Sequence, residues 1–227
     1  MTKPDSTSST SFDYEGEMEF FGEAVEEVTA HDWIEHDMSL WVMPYPEVLK
    51  DKLILDIGAG EGGYGVTVCE RHEPRRFVPL ELVPQRLIGA ARRAKDLPAL
   101  APVAGSAYEL PHPDNSFDIA IGNGALHHMP DTGAVAKEVA RVLKPRGIYF
   151  GREPNFHNVA VYWYVLHGPH VSPNEFACWP KNIRKAFEEN GFDVEIAFFW
   201  RRAPWVKGRY FAVSQRVKAV WRGDDGE

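Results

Sequence analysis

The stretch LILDIGAGEGGYG, Leu53 to Gly65, constrains this chain more than any other. A nearly continuous Leu/Ile run is how a strand reads when both of its faces are covered, as in a parallel sheet. Here the run breaks into glycines, which let a backbone turn sharply and come close to a ligand. Gly58, Gly60 and Gly63 spell G-x-G-x-x-G, a nucleotide-binding turn ahead of a helix. Glycine spacing alone does not say which nucleotide.

The residues beyond the glycines keep the alternation expected of such a start. A helix is predicted from about Gly62 to His72. RFVPLEL reads as a second strand, and PQRLIGAARRAK as a helix with Pro84 in its first turn. LAPVAG, FDIAIG and GIYFGRE read as further strands, with TGAVAKEVARVL as the helix before the last of them. WPKNIRKAFEENG is a helix closed by Gly191, leading into two final antiparallel strands, FDVEIAFFW and RYFAVSQRV. This order predicts an α/β fold with a doubly wound, Rossmann-like sheet and right-handed crossovers. Residues 13–222 are read as one domain. It has an N-terminal helical lid over 13–50, where Met18, Phe21, Val25 and Val28 recur at helical spacing beside a solvated acidic face. Residues 154–179 fit no βα unit and read as a cap inserted on the acceptor side. Residues 1–12 and 223–227 are expected to be disordered and flexible.

A net charge of -8 argues against a general nucleic-acid binder, which must neutralise phosphates. The two cysteines, Cys69 and Cys178, form no C-x-x-C pair, so neither a disulfide framework nor a zinc spacing is expected. The first residues lack an apolar signal region, and no apolar run approaches the ~20 residues of a membrane span. A cytoplasmic protein is the expectation, with a homodimer compatible with this size.

In a doubly wound sheet the ligand lies beyond the carboxyl ends of the strands. Glu81, at the end of the second strand, can accept from ribose hydroxyls in either a dinucleotide or S-adenosylmethionine. Asp56 discriminates between them, since a carboxylate there helps hold an ammonium but repels a pyrophosphate. The segments LDIGAGEG, Glu81, GSAYELPHPDNSFDIAIGNGALHHMPD and KEVARVLKPRGIYF together resemble a class I S-adenosylmethionine-dependent methyltransferase of the type 11 kind, over roughly Leu53 to Glu153. The resemblance implies a seven-stranded sheet with an antiparallel last strand, and S-adenosyl-L-methionine as cofactor, leaving as S-adenosyl-L-homocysteine. It places Asp56, Gly58, Ala59 and Gly60 at the methionine part, Glu81 at the ribose, Leu82 along the adenine, and Ser106 and Ala107 at its far edge. Asn123 falls near the methionine portion and the transferred methyl. Ser106 stands where many relatives carry an Asp, so the adenine amino group would meet a hydroxyl instead of a charge.

His127 and His128 follow the fourth strand and are the candidate catalytic groups, since imidazole can take a proton from an acceptor. Adjacent histidines point apart on most backbones, so no metal pair is expected. The cap offers His157, His167, His170 and Glu175 among Phe156, Tyr162, Trp163, Tyr164 and Phe176, most of these rings being read as the cap's own core. Tyr14, Phe20, Phe21, His31 and His36 are candidates to complete a lid. Arg201, Arg202, Lys207, Arg209, Arg216, Lys218 and Arg222, interleaved with Trp200, Trp205, Tyr210, Phe211 and Trp221, read as solvated faces of the final hairpin. The function expected is O-methylation of a small molecule or saccharide, in bacterial secondary metabolism or glycan tailoring. N- or C-methylation, an NAD-dependent oxidoreductase and a non-catalytic cofactor-binding module are the alternatives. Asp56 and the LHHMPD block speak against the oxidoreductase.

Overall fold

The computed structural model describes residues 12–23, 46–168, 171–199 and 214–223. The strands are β1 (Leu53–Ile57), β2 (Arg76–Glu81), β3 (Val103–Ala104), β4 (Phe117–Asn123), β5 (Leu143–Pro154), β6 (Phe192–Phe199) and β7 (Ser214–Trp221). They form one sheet in the order β3-β2-β1-β4-β5-β7-β6. β7 runs antiparallel to both β5 and β6, and the other ladders are parallel. This is the seven-stranded doubly wound sheet expected, with the antiparallel strand last in sequence. The helices are α1 (Tyr14–Glu23), α2 (Gly63–Arg71), α3 (Ile88–Arg93), α4 (Thr132–Val142), α5 (Val159–His167) and α6 (Pro180–Glu188).

β1 shows why the central strands read as continuous apolar runs. Ile54 packs into the core on the α2 and α3 face, with Tyr64, Val68, Phe77 and Ala90. Leu55 and Ile57 pack on the opposite face, with Val135, Val139, Ile183 and Phe187 of α4 and α6. Successive side chains of a strand point to opposite faces, and here both faces are roofed.

Several elements differ from expectation for local reasons. β3 shrinks from LAPVAG to two residues, because Pro79 lacks the donor that β2 would turn toward β3 at that point. The helix after β2 begins as a 3-10 turn, Pro84–Leu87, before α3. β5 starts early, at Leu143, and its register with β4 shifts around the Lys144–Gly147 kink, where Arg146 has φ 67°. Among the described residues the last strand, Ser214–Trp221, runs past the end of RYFAVSQRV. The candidates Val25, Val28, His31, His36, His170, Trp200, Arg201, Arg202, Trp205, Lys207, Arg209, Tyr210 and Phe211 lie outside the described residues, as do the side chains of Phe20 and Phe21. Of the basic C-terminal set, Lys218 and Arg222 pair across the hairpin with Glu195 and Asp193, and Trp221 packs in the core.

The N-terminal helix reverses one expectation. Met18 is 40% exposed, while Glu17 is 4% exposed. Glu17 accepts from Asn174 Nδ2 at 2.8 Å and from the Ser172 hydroxyl at 3.4 Å. The acidic face of α1 is therefore not wholly solvated, and one of its carboxylates docks the helix onto the cap.

Candidate active site

Three strands end in carboxylates at one edge of the sheet: β1 at Asp56, β2 at Glu81 and β5 at Glu153. All three are buried. Between them the chain after β1 turns through Gly58, Gly60 and Gly62, all at positive φ. A Cβ on Gly58 would come within 2.8 Å of the Ala125 Cβ, and one on Gly62 within 2.6 Å of the Ala90 Cβ. Nothing lies within 4 Å of a Cβ on Gly63. The third constrained glycine is thus Gly62, the residue before α2, and not the Gly63 that the G-x-G-x-x-G spelling selects. With two glycines side by side, only the backbone says which one must be glycine.

Glu81 is fixed by the loops that flank it. Its Oε2 accepts from Gly60 N at 2.8 Å and its Oε1 from Val83 N at 3.1 Å. Asp56 is 2% exposed, and its pKa is pushed up to about 8, by burial first and the Glu81 charge second. Leu82 is half-buried and Ala107 buried beside this edge. Ser106 Oγ accepts from Tyr108 N at 3.1 Å and lies 3.1 Å from the Tyr14 hydroxyl of α1. The N-terminal helix therefore reaches the residue expected at the adenine edge. Asn123, at the end of β4, accepts from Arg152 Nε through its Oδ1 at 2.9 Å.

The loop after β4 is organised by Glu153. Its Oε1 accepts from Ala125 N and Leu126 N, at 3.2 and 3.0 Å, and its Oε2 from His127 N at 3.3 Å. His127 Nδ1 lies 2.7 Å from the same Oε2, so the ring N–H goes there and Nε2 faces Glu175 Oε1 at 3.3 Å. His128 Nδ1 lies 2.8 Å from Ser172 Oγ, 3.3 Å from Glu17 Oε1 and 3.7 Å from Glu175 Oε2. Burial works to lower the His128 pKa. The hydrogen bond to Glu17 and the charges of Glu175, Glu17 and Glu153 outweigh it, and the net shift is upward. The two rings stand 4.2 Å apart, tilted by 41°. They do not point apart as adjacent histidines in a strand would, because Leu126–His128 is a 3-10 turn clamped from below by Glu153. The cap closes the arrangement through Phe176 N, which donates to the His127 carbonyl at 3.0 Å.

A family model described as a methyltransferase domain matches residues 55–151. The fatty-acid O-methyltransferase of Mycolicibacterium smegmatis is 32% identical over 101 residues, covering 44% of this chain and 36% of that protein. The demethylmenaquinone methyltransferase of Bacillus licheniformis is 32% identical over 117 residues, covering 51% of this chain and 48% of that protein. The chain thus spans less than half the length of these relatives. A solved S-adenosylmethionine-dependent methyltransferase from Thermotoga maritima shares the fold, with a TM-score of 0.69 at 16% identity over 89% of this chain and 98% of that one.

Residues 55–151 thus match a methyltransferase family, and the described sheet has the class I methyltransferase fold. S-adenosylmethionine is the cofactor of that family, and the residues at the carboxyl edge of the methyltransferase domain fit it. Asp56 is a buried carboxylate whose pKa is raised by burial and by the Glu81 charge, and an ammonium beside it would favour its charged form. The loop over it tolerates no side chain at Gly58, and Glu81 stands at the end of the neighbouring strand. Of the cap candidates, Glu175 joins the histidine cluster. His157 instead stacks near Trp179 and Phe198, and His167 near Trp163 on α5. Phe156 and Tyr162 pack with Trp179, as the cap's own core requires, whereas Trp163 and Tyr164 are exposed. Sequence reasoning missed Glu153 and Glu17. The signal for Glu153 was present in GIYFGRE, an apolar strand ending in an acid just as LILD and FVPLE do.

Proposed function

We propose that the chain methylates the oxygen of a small-molecule acceptor, with saccharides and apolar hydroxyl compounds as the classes to test first. One observation carries the reading. The glycine loop that shapes the cofactor edge touches the loop bearing His127 and His128, since the Gly58 position abuts Ala125. Cofactor groups and a polar imidazole–carboxylate cluster therefore share one mouth of the sheet. S-adenosylmethionine, when bound, supplies a methyl already activated on a sulfonium. The protein's share is to bind and align, and holding two reactants in line is worth several kcal/mol (about 7–11 at best).

Asp56, Gly58, Ala59, Gly60, Glu81, Leu82, Ser106, Ala107 and Asn123 are proposed to hold the cofactor. Unlike a neutral amine, a hydroxyl must lose a proton on methylation, and the cluster of His127 and His128 with Glu17, Glu153 and Glu175 supplies polar groups for that hydroxyl. A relative named for O-methylation of fatty acids supports the choice of oxygen. No described helix is long and apolar enough to cross a membrane.

The test uses the full chain with methyl-labelled cofactor and three acceptor panels: fatty acids and phenols, saccharides, and amines. Label transfer to an oxygen acceptor, abolished by Asp56→Ala, is expected. Transfer to amines alone, or cofactor binding with no transfer to any panel, would overturn the O-methylation reading.

A further inference from the structure

We propose that His127, His128 and Glu175 bind one divalent transition-metal ion on the acceptor side of the cleft, a reading that rests on the placement of the acceptor given above.

Geometry comes first. The metal-ligating atoms of the three residues all lie within 4.8 Å of one another. Glu175 offers one oxygen to each ring, at 3.3 Å from His127 Nε2 and 3.7 Å from His128 Nδ1. Tetrahedral ligands at 2.0–2.2 Å from a zinc-like ion stand about 3.4 Å apart, so the two separations bracket what a shared ion requires. Glu17 Oε1, 3.3 Å from His128 Nδ1, is a ready fourth donor.

The surroundings of the rings are those of metal ligands. His127 directs Nδ1–H into a buried carboxylate, Glu153, which fixes the ring's orientation and turns Nε2 toward Glu175. This carboxylate–histidine pairing is the usual support behind a metal-bound imidazole. Glu175 is held by Ser172 N at 3.3 Å, and Glu17 by Asn174, so both carboxylates are aimed rather than loose.

Charge supplies the driving force. Glu17, Glu153 and Glu175 gather around two imidazoles, with all three carboxylates buried. Three acidic side chains face two imidazoles there, so acidic groups outnumber basic ones within the cluster. Buried charge of one sign is costly unless paired, and a divalent cation pairs it. Two imidazole nitrogens with carboxylate oxygens select a first-row transition ion over magnesium or calcium, which favour all-oxygen sites.

The experiment titrates untagged full chain with Co²⁺ alone, reading visible d–d absorption, and then displaces it with Zn²⁺. One Co²⁺ per chain with displaceable bands is expected. Glu153→Gln, acting through His127, should weaken binding about 10–100-fold, and Glu175→Gln by more than that. Circular dichroism checks that both variants are folded. Absence of saturable bands in the wild-type chain, or equal binding by Glu175→Gln, overturns the site. Parallel transfer assays separate the two readings. O-methylation by a chain that shows no saturable Co²⁺ bands sinks the metal site alone, and Co²⁺ binding without O-methylation sinks the acceptor reading alone.

Discussion

Replacing Asp56 by asparagine isolates the electrostatic cost built into the cofactor edge. The carboxyl has an ordinary pKa of 3.8 and a folded value of about 8, raised by burial and by Glu81. An acid whose folded pKa is raised binds more protons folded than unfolded between those two values. Stability from this group is therefore complete below pH 3.8, falls as pH rises, and is lowest above pH 8. Each unit of pH in that window costs about 1.4 kcal/mol, so at pH 7 the cost is about 4 kcal/mol. The amide of Asp56→Asn cannot titrate, so the variant's stability relative to wild type should climb by about 3 kcal/mol between pH 5 and pH 7. Urea unfolding at several pH values reads this directly. A bound ammonium would return Asp56 to its ionised form, so calorimetry in two buffers near pH 7 should show close to one proton released per cofactor bound. The variant should lose that release and most of its affinity. Parallel stability curves for the two proteins, or proton release that survives in the variant, would refute the reasoning.

The glycines make a paired test. Gly62→Ala places a Cβ at φ 73° and 2.6 Å from Ala90, and should cost about 2–4 kcal/mol in thermal or urea unfolding. Gly63→Ala meets no neighbour at the start of α2 and should be neutral or stabilising by up to about 1 kcal/mol. Tyr149 is fully buried, and its hydroxyl has no hydrogen-bond partner among the described residues, so Tyr149→Phe should hold or raise the melting temperature. A loss above about 1 kcal/mol would mean that its hydroxyl is satisfied. Glu17→Ala strips the buried partners of Asn174 and Ser172, at about 1–3 kcal/mol of local docking energy. Hydrogen exchange across residues 14–23 should then rise, with the sheet's protection unchanged.

The local chemistry of the chain determined a good deal. The Leu/Ile run before the glycines dictated a buried parallel strand, because apolar side chains at successive positions need cover on both faces. Asp56 and Glu81 were legible as strand-end carboxylates because their role depends on their place along one strand and the loop after it. The doubly wound sheet, and its antiparallel last strand, came from the alternation together with the family likeness. What the sequence could not decide is whatever depends on residues far apart in the chain meeting in space. Gly62 and Gly63 are identical as letters, and only the left-handed backbone at Gly62 and the packing of Ala90 against it distinguish them. Glu153 looked like the end of a strand until the loop after β4 folded onto it, and Glu17 like one more surface acid until Ser172 and Asn174 arrived from more than 150 residues away. His127 and His128 pair as rings only because that loop turns as a 3-10 helix over Glu153. Side-chain direction in a turn is set by tertiary contacts, and spacing alone carries no record of them.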